Sequence, residues 1–81
     1  MKHASHQDIA KRLKRAEGHL KSILTMIEDG RPCVDLAQQL HAVEKAVGNA
    51  KRELIHDHIE HCLEDGHQGS LKELKELTKY L

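Results

Sequence analysis

Apolar residues recur along the first third of the chain at Ile9, Leu13, Ala16, Leu20, Ile23 and Ile27, alternately four and three apart. Residues at that spacing share one face of a helix, and the underlying seven-residue repeat lets helices pack lengthwise. The pattern predicts a first helix with Ser5 as its N-cap and Asp8 as an acidic near-match to a capping box. Met1 to Ala4 are expected to be mobile. The helix should close at Asp29-Gly30-Arg31-Pro32, since glycine suits a left-handed cap and proline cannot continue the helix. A second stripe, Leu36, Leu40, Val43, Val47, Ala50 and Leu54, predicts a helix from about Cys33 to about Glu64, with Gly48 its one weak point. Asp65-Gly66-His67-Gln68-Gly69 breaks it. Ser70 then caps a short third helix with Leu71, Leu74, Leu77 and Leu81 on one side.

At ~1.5 Å per residue the second helix is on the order of 45 Å long, too long for a compact monomer of this size. Two long amphipathic helices cannot enclose a core alone, so their apolar stripes need another copy of the chain. The expected architecture is all-α: three helices per chain, with two chains forming an antiparallel four-helix bundle. Residues 1–81 read as a single domain, without internal repeats.

Composition strengthens the case for a partner. The chain has one proline, one tyrosine, no tryptophan or phenylalanine, and 32% charged residues. A chain this small buries little of its surface and needs a staple or an oligomer. It has two cysteines, no signal peptide and no apolar run long enough to cross a membrane, which reads as a cytoplasmic protein with reduced thiols. There, Cys with His points to metal or redox chemistry. Net charge is zero, but residues up to Cys33 carry seven Lys/Arg against four Asp/Glu, and the remainder six against nine. That asymmetry hints at a basic surface on the first part.

The densest chemistry lies in HDHIEHC, His56 to Cys62, where four of seven residues are His or Cys. His58 and Cys62, four apart, can present an imidazole and a thiolate to one ion. The other thiolate, Cys33, opens the same helix, ~43 Å away by helical rise. Within one chain the two cannot meet, but in an antiparallel pair of chains they can. The expected site is therefore intersubunit, with Cys33 of one protomer and His58 and Cys62 of the other. Two thiolates and an imidazole form a soft set that suits Cu(I), and with a further ligand Zn(II) or Ni(II). His3 and His6, near the N-terminus, are the candidates for a fourth ligand. His56, His61 and His67 read as a solvated face, and His41, close to the apolar stripe, as a packed or interfacial histidine.

These residues carry a family resemblance. Arg12-Leu13-Lys14-Arg15-Ala16-Glu17-Gly18-His19 resembles the first-helix motif RLxRIEGQ of the copper-sensitive operon repressors (CsoR), with alanine for the usual isoleucine and histidine for the usual glutamine. Arg31-Pro32-Cys33-Val34-Asp35 is similar to the segment holding that family's first cysteine, and His58-x-x-x-Cys62 to the metal motif of its copper branch. The resemblance covers nearly the whole chain. It implies a homodimer that pairs into a homotetramer, and a repressor that holds operator DNA without metal and releases it when metal binds. Its copper ligands fall on Cys33, His58 and Cys62. Its DNA contacts are basic residues of the first two helices: Arg12 and Arg52 match, Lys14 and Arg15 lie in the same motif, and Lys11 extends the run. A nickel-responsive relative would add an N-terminal histidine. A persulfide-sensing relative would keep both cysteines but lack His58.

Three function classes follow. The first is a metal-responsive repressor. The second is a metal buffer or chaperone, indifferent to Arg12. The third is a thiol sensor that bridges Cys33 to Cys62 between subunits. An enzyme is not expected, because no nucleophile–base set or phosphate loop is visible.

Overall fold

The computed structural model describes residues 4–65 and 70–81, and the side chains of residues 6–61 and 71–81. Its elements are α1 (Ala4–Glu28), α2 (Cys33–Asp65) and α3 (Ser70–Thr78). The described chain is therefore all-α, with three helices. α1 differs from expectation at its start. It begins at Ala4, so Ser5 lies inside the helix rather than capping it. Alanine has the highest helix propensity, and the first turn extends over it. Met1 to His3 and residues 66–69 lie outside the described residues.

The end of α1 follows the sequence closely. Gly30 has φ +71°, a conformation only glycine adopts without cost. The Gly30 amide donates to the Ile27 carbonyl at 3.1 Å and the Arg31 amide to the Met26 carbonyl at 3.1 Å. This is the Schellman pairing, which satisfies carbonyls left over at a helix end. The Leu36 amide then donates to the Pro32 carbonyl at 3.2 Å, so the next helix starts at once. The result is an antiparallel hairpin. Arg12 pairs with Glu53, His19 bonds Gln39 at 2.5 Å, and Ala16 and Ile23 cluster with Val43 and Leu36.

Burial splits each apolar stripe in two. Ile9, Ala16 and Ile23, seven apart, are buried, whereas Leu13, Leu20 and Ile27 are 44%, 43% and 53% exposed. On α2, Val43 and Ala50 are buried, whereas Leu40, Val47 and Leu54 are 47%, 42% and 39% exposed. In a heptad, one seven-spaced set meets one neighbour and the other set meets a second. Here the first set is used inside the hairpin and the second is open. The shape agrees, since the molecule is a slab of 53 × 23 × 13 Å with a radius of gyration of 16.8 Å. A compact chain of this length would have about 12 Å.

α3 folds back on the far end of α2. Leu74 and Leu77 are half-buried and Leu71 is exposed. Leu81 lies past the helix end, beyond a turn in which the Tyr80 amide donates to the Leu77 carbonyl at 3.0 Å. Among the described residues no helix is long and apolar enough to cross a membrane.

Candidate metal centre

The two ends of α2 carry the expected ligands. Cys33 opens the helix and its free thiol is exposed. His58 lies 25 residues on, ~37 Å away by helical rise. Cys62 lies one turn beyond His58, near the end of α2, and its side chain is outside the described residues. No group of three or more His, Cys, Asp or Glu that could hold a metal ion occurs within one chain among the described residues.

His58 is the better-defined of these candidate side chains. Its side chain is 24% exposed, and Nε2 lies 3.3 Å from Oε1 of Glu73 on α3. A metal-ligating histidine commonly gives its second ring nitrogen to a carboxylate, which fixes the ring and raises its basicity. Sequence reasoning missed Glu73. It is one of several charges in Lys72-Glu73-Leu74-Lys75-Glu76, and only the fold of α3 onto α2 distinguishes it.

The other histidines divide. His61 turns back on its own helix, with Nδ1 3.1 Å from the Asp57 carbonyl and 3.5 Å from Asp57 Oδ1. His56 is exposed on the polar side of the hairpin, in an open groove with Arg12, Asn49, Arg52 and Glu53. His41 was expected to be packed or interfacial. Within the chain it is exposed beside Leu40, because α1 covers only the Val43 side of α2. His6 is half-buried in the first turns of α1. The hairpin register that sets Arg12 against Glu53 carries that end of α1 toward the His58 end of α2. His3 and His67 lie outside the described residues.

The basic residues also separate. Arg12 is bound to Glu53 and lies 3.8 Å from Asp8, while Arg52 donates to Asn49 one turn back. Lys11, Lys14 and Arg15 are exposed.

Comparison with known proteins bears on these residues together. Residues 5–81 match the family model described as metal-sensitive transcriptional repressor. The chain belongs to this repressor family, that of CsoR. Over 74 residues, 85% of the chain, it is 38% identical to the copper-sensing transcriptional repressor CsoR of Mycobacterium tuberculosis, covering 62% of that protein. Over 57 residues, 70% of the chain, it is 44% identical to the copper-sensing transcriptional repressor CsoR of Bacillus subtilis, covering 56% of it. It is also 39% identical over 54 residues to the copper-sensing transcriptional repressor RicR of M. tuberculosis, with 67% of the chain and 56% of that protein covered. The chain thus spans about three fifths of the length of the curated relatives it matches. No solved structure matches significantly. A transcriptional repressor family is not a class of enzymes.

Proposed function

We propose that residues 1–81 form a single-domain Cu(I)-responsive repressor that acts in the cytoplasm, holds operator DNA when metal-free, and releases it on binding Cu(I). The observation that carries this reading is the split stripe. Leu13, Leu20 and Ile27 with Leu40, Val47 and Leu54 are open in the single chain and form one continuous apolar face. Covering that face with a second, antiparallel copy completes a four-helix bundle. It also lays the Cys33 end of one α2 beside the His58–Cys62 end of the other. Two such dimers then pair into the homotetramer that the family resemblance implies.

Cys33 of one protomer with His58 and Cys62 of the other would hold the ion. Two thiolates and one imidazole fit Cu(I) in kind and number, and the relatives named above are copper sensors. When bound, the ion supplies a soft cross-link between the two chains. Glu73 orients His58 and links the ligand to α3. Metal can weaken DNA binding only if its affinity differs between the free and DNA-bound states, and DNA then weakens metal binding equally. Ni(II) is the second reading, with His6 or His3 as an added ligand. It is favoured by the register that carries the start of α1 toward His58.

The test is an anaerobic titration of metal-free protein on a duplex selected from a random pool by that protein. One Cu(I) per chain should weaken the complex about 5- to 150-fold, the usual span of allosteric coupling. Unchanged DNA affinity at saturating Cu(I) would remove the sensor reading and leave a metal buffer. Glu73→Gln gives a finer check. It keeps all three ligands, so Cu(I) affinity should fall by no more than ~10–100-fold, while the DNA response to saturating metal should shrink. A full response in that variant would restrict Glu73 to a packing role.

A further inference from the structure

We infer that Glu44 and Lys51 form reciprocal ion pairs across the two-fold axis of the dimer, and that these pairs fix the register at which Cys33 of one α2 meets His58 and Cys62 of the other. This rests on the two-chain reading above and names the residues that choose its alignment. The apolar layers do not choose it alone. Leu40, Val47 and Leu54 are spaced by seven and all open in the single chain. An antiparallel partner displaced by one heptad would meet layers of the same kind.

The two charges stand on the side of α2 that carries the candidate ligands. At 3.6 residues per turn, Cys33, Glu44, Lys51, His58 and Cys62 fall within about 40° of one another, beside the Leu40–Val47–Leu54 stripe. That sector faces the partner if the ligands of two chains are to converge. Between Cys33 and Cys62 it holds no other Asp, Glu, Lys or Arg. Both side chains are exposed, and neither has an ion-pair partner among the described residues. Asp35 and Glu53, on other sides of α2, are already paired with Arg31 and Arg12.

Position then decides the match. Setting Cys33 level with the partner's Cys62 puts Ala37 level with the partner's His58 and Glu44 level with the partner's Lys51, because a step along one helix is a step back along the other. The axis passes beside Val47, and symmetry repeats the ion pair on its far side. The open groove lined by Ala37, Leu40, Val43 and Glu44 receives the partner's Leu54, and the stem of the partner's Lys51 lies along its edge. A shift of one heptad sets Glu44 against the partner's Glu44, or Lys51 against the partner's Lys51, depending on direction. A parallel pairing does both. Like charges in such positions exclude an alignment, whereas opposite charges favour it. An exposed ion pair adds little stability of its own, so the effect lies in the choice between alignments.

The test uses Glu44→Lys, Lys51→Glu and the double exchange in the full chain. Dissociation is followed by assembly mass over a dilution series at low and high salt, and Cu(I) capacity is measured alongside. Each single variant gathers charges of one sign around the axis and should dissociate at concentrations at least tenfold above the parent's. Mixed in equal amounts, with one chain isotope-labelled, the two single variants should form heterodimers well beyond the roughly half that random pairing gives. The double exchange should assemble as the parent does, yet mix poorly with it. Tight Cu(I) capacity should be lost from the single variants on dilution and return in their mixture and in the double exchange. High salt should shrink all these differences. Parental dissociation in both single variants would overturn the inference while leaving the repressor reading standing, and so would random pairing in their mixture. A parent chain that stays monomeric throughout would remove the two-chain reading itself, and the inference with it.

Discussion

Replacing Cys33 with alanine should cost at least about a thousandfold in Cu(I) affinity and leave DNA binding intact. The size of the effect follows from the donor count. Losing one thiolate leaves Cu(I) an imidazole and a single thiolate, a larger loss than the ~10–100-fold typical of removing a residue that only supports a ligand. The selectivity follows from position. Cys33 is exposed at the first residue of α2, so the variant disturbs no buried packing within the chain and keeps every basic residue in place. Anaerobic competition with a Cu(I) chelator and DNA binding by the metal-free protein measure the two halves. Loss of both would make Cys33 a structural residue, and loss of neither would take it out of the site.

Val47→Glu should abolish the assembled fold. Within one chain Val47 is 42% exposed, so a carboxylate there would meet water and cost little. Against a second copy the same position is covered, and two unpaired carboxylates enter an apolar layer, at a cost of several kcal/mol. Domains of this size have only about 5–15 kcal/mol to lose. The variant should be monomeric and largely unfolded, whereas the parent's thermal midpoint should rise with protein concentration as mass action requires. Gln38→Glu, an exposed substitution outside the stripe, is the control and should behave as the parent. A folded Val47→Glu chain with a parental midpoint would mean that the open heptad positions are not covered.

Much of the fold is legible in the sequence alone. The helix stop at Gly30 is local, because one residue's backbone freedom and the proline after it decide the turn. The two stripes are equally direct, since a four-three spacing is a statement about one helix face. What the stripes could not give is which half of each pairs within the chain. Ala16 and Leu20 look equivalent in a pattern, and only the packing of α1 on α2 buries the first and leaves the second open. For the same reason the pattern did not say how His41 sits within the chain: it adjoins the stripe, but on a side that α1 does not reach. The start of α1 was off by two residues because a hydroxyl cap and an alanine compete over small energies.

In the candidate site, the spacing of Cys33, His58 and Cys62 along one helix is what leads to the proposal of a site shared by two chains. Glu73 was invisible, since its approach to His58 depends on where α3 lies and not on any local signal. The ties on Arg12 were hidden likewise. Its pairing with Glu53 spans 41 residues of sequence, and no composition argument separates it from Lys11 or Arg15.

The central claim is that one metal ion is held by two chains, and mixed dimers test it most directly. Cys33→Ala and Cys62→Ala chains are each assayed alone and after unfolding and refolding together in equal amounts. In an antiparallel two-fold dimer, a mixed pair rebuilds one complete site from the intact Cys33 of one chain and the intact His58 and Cys62 of the other. Random pairing then gives about a quarter of the parental tight Cu(I) capacity, with two equivalent sites per parental dimer. The account predicts that recovery from two variants that each lack tight binding. A refolded mixture as inert as its components would contradict it.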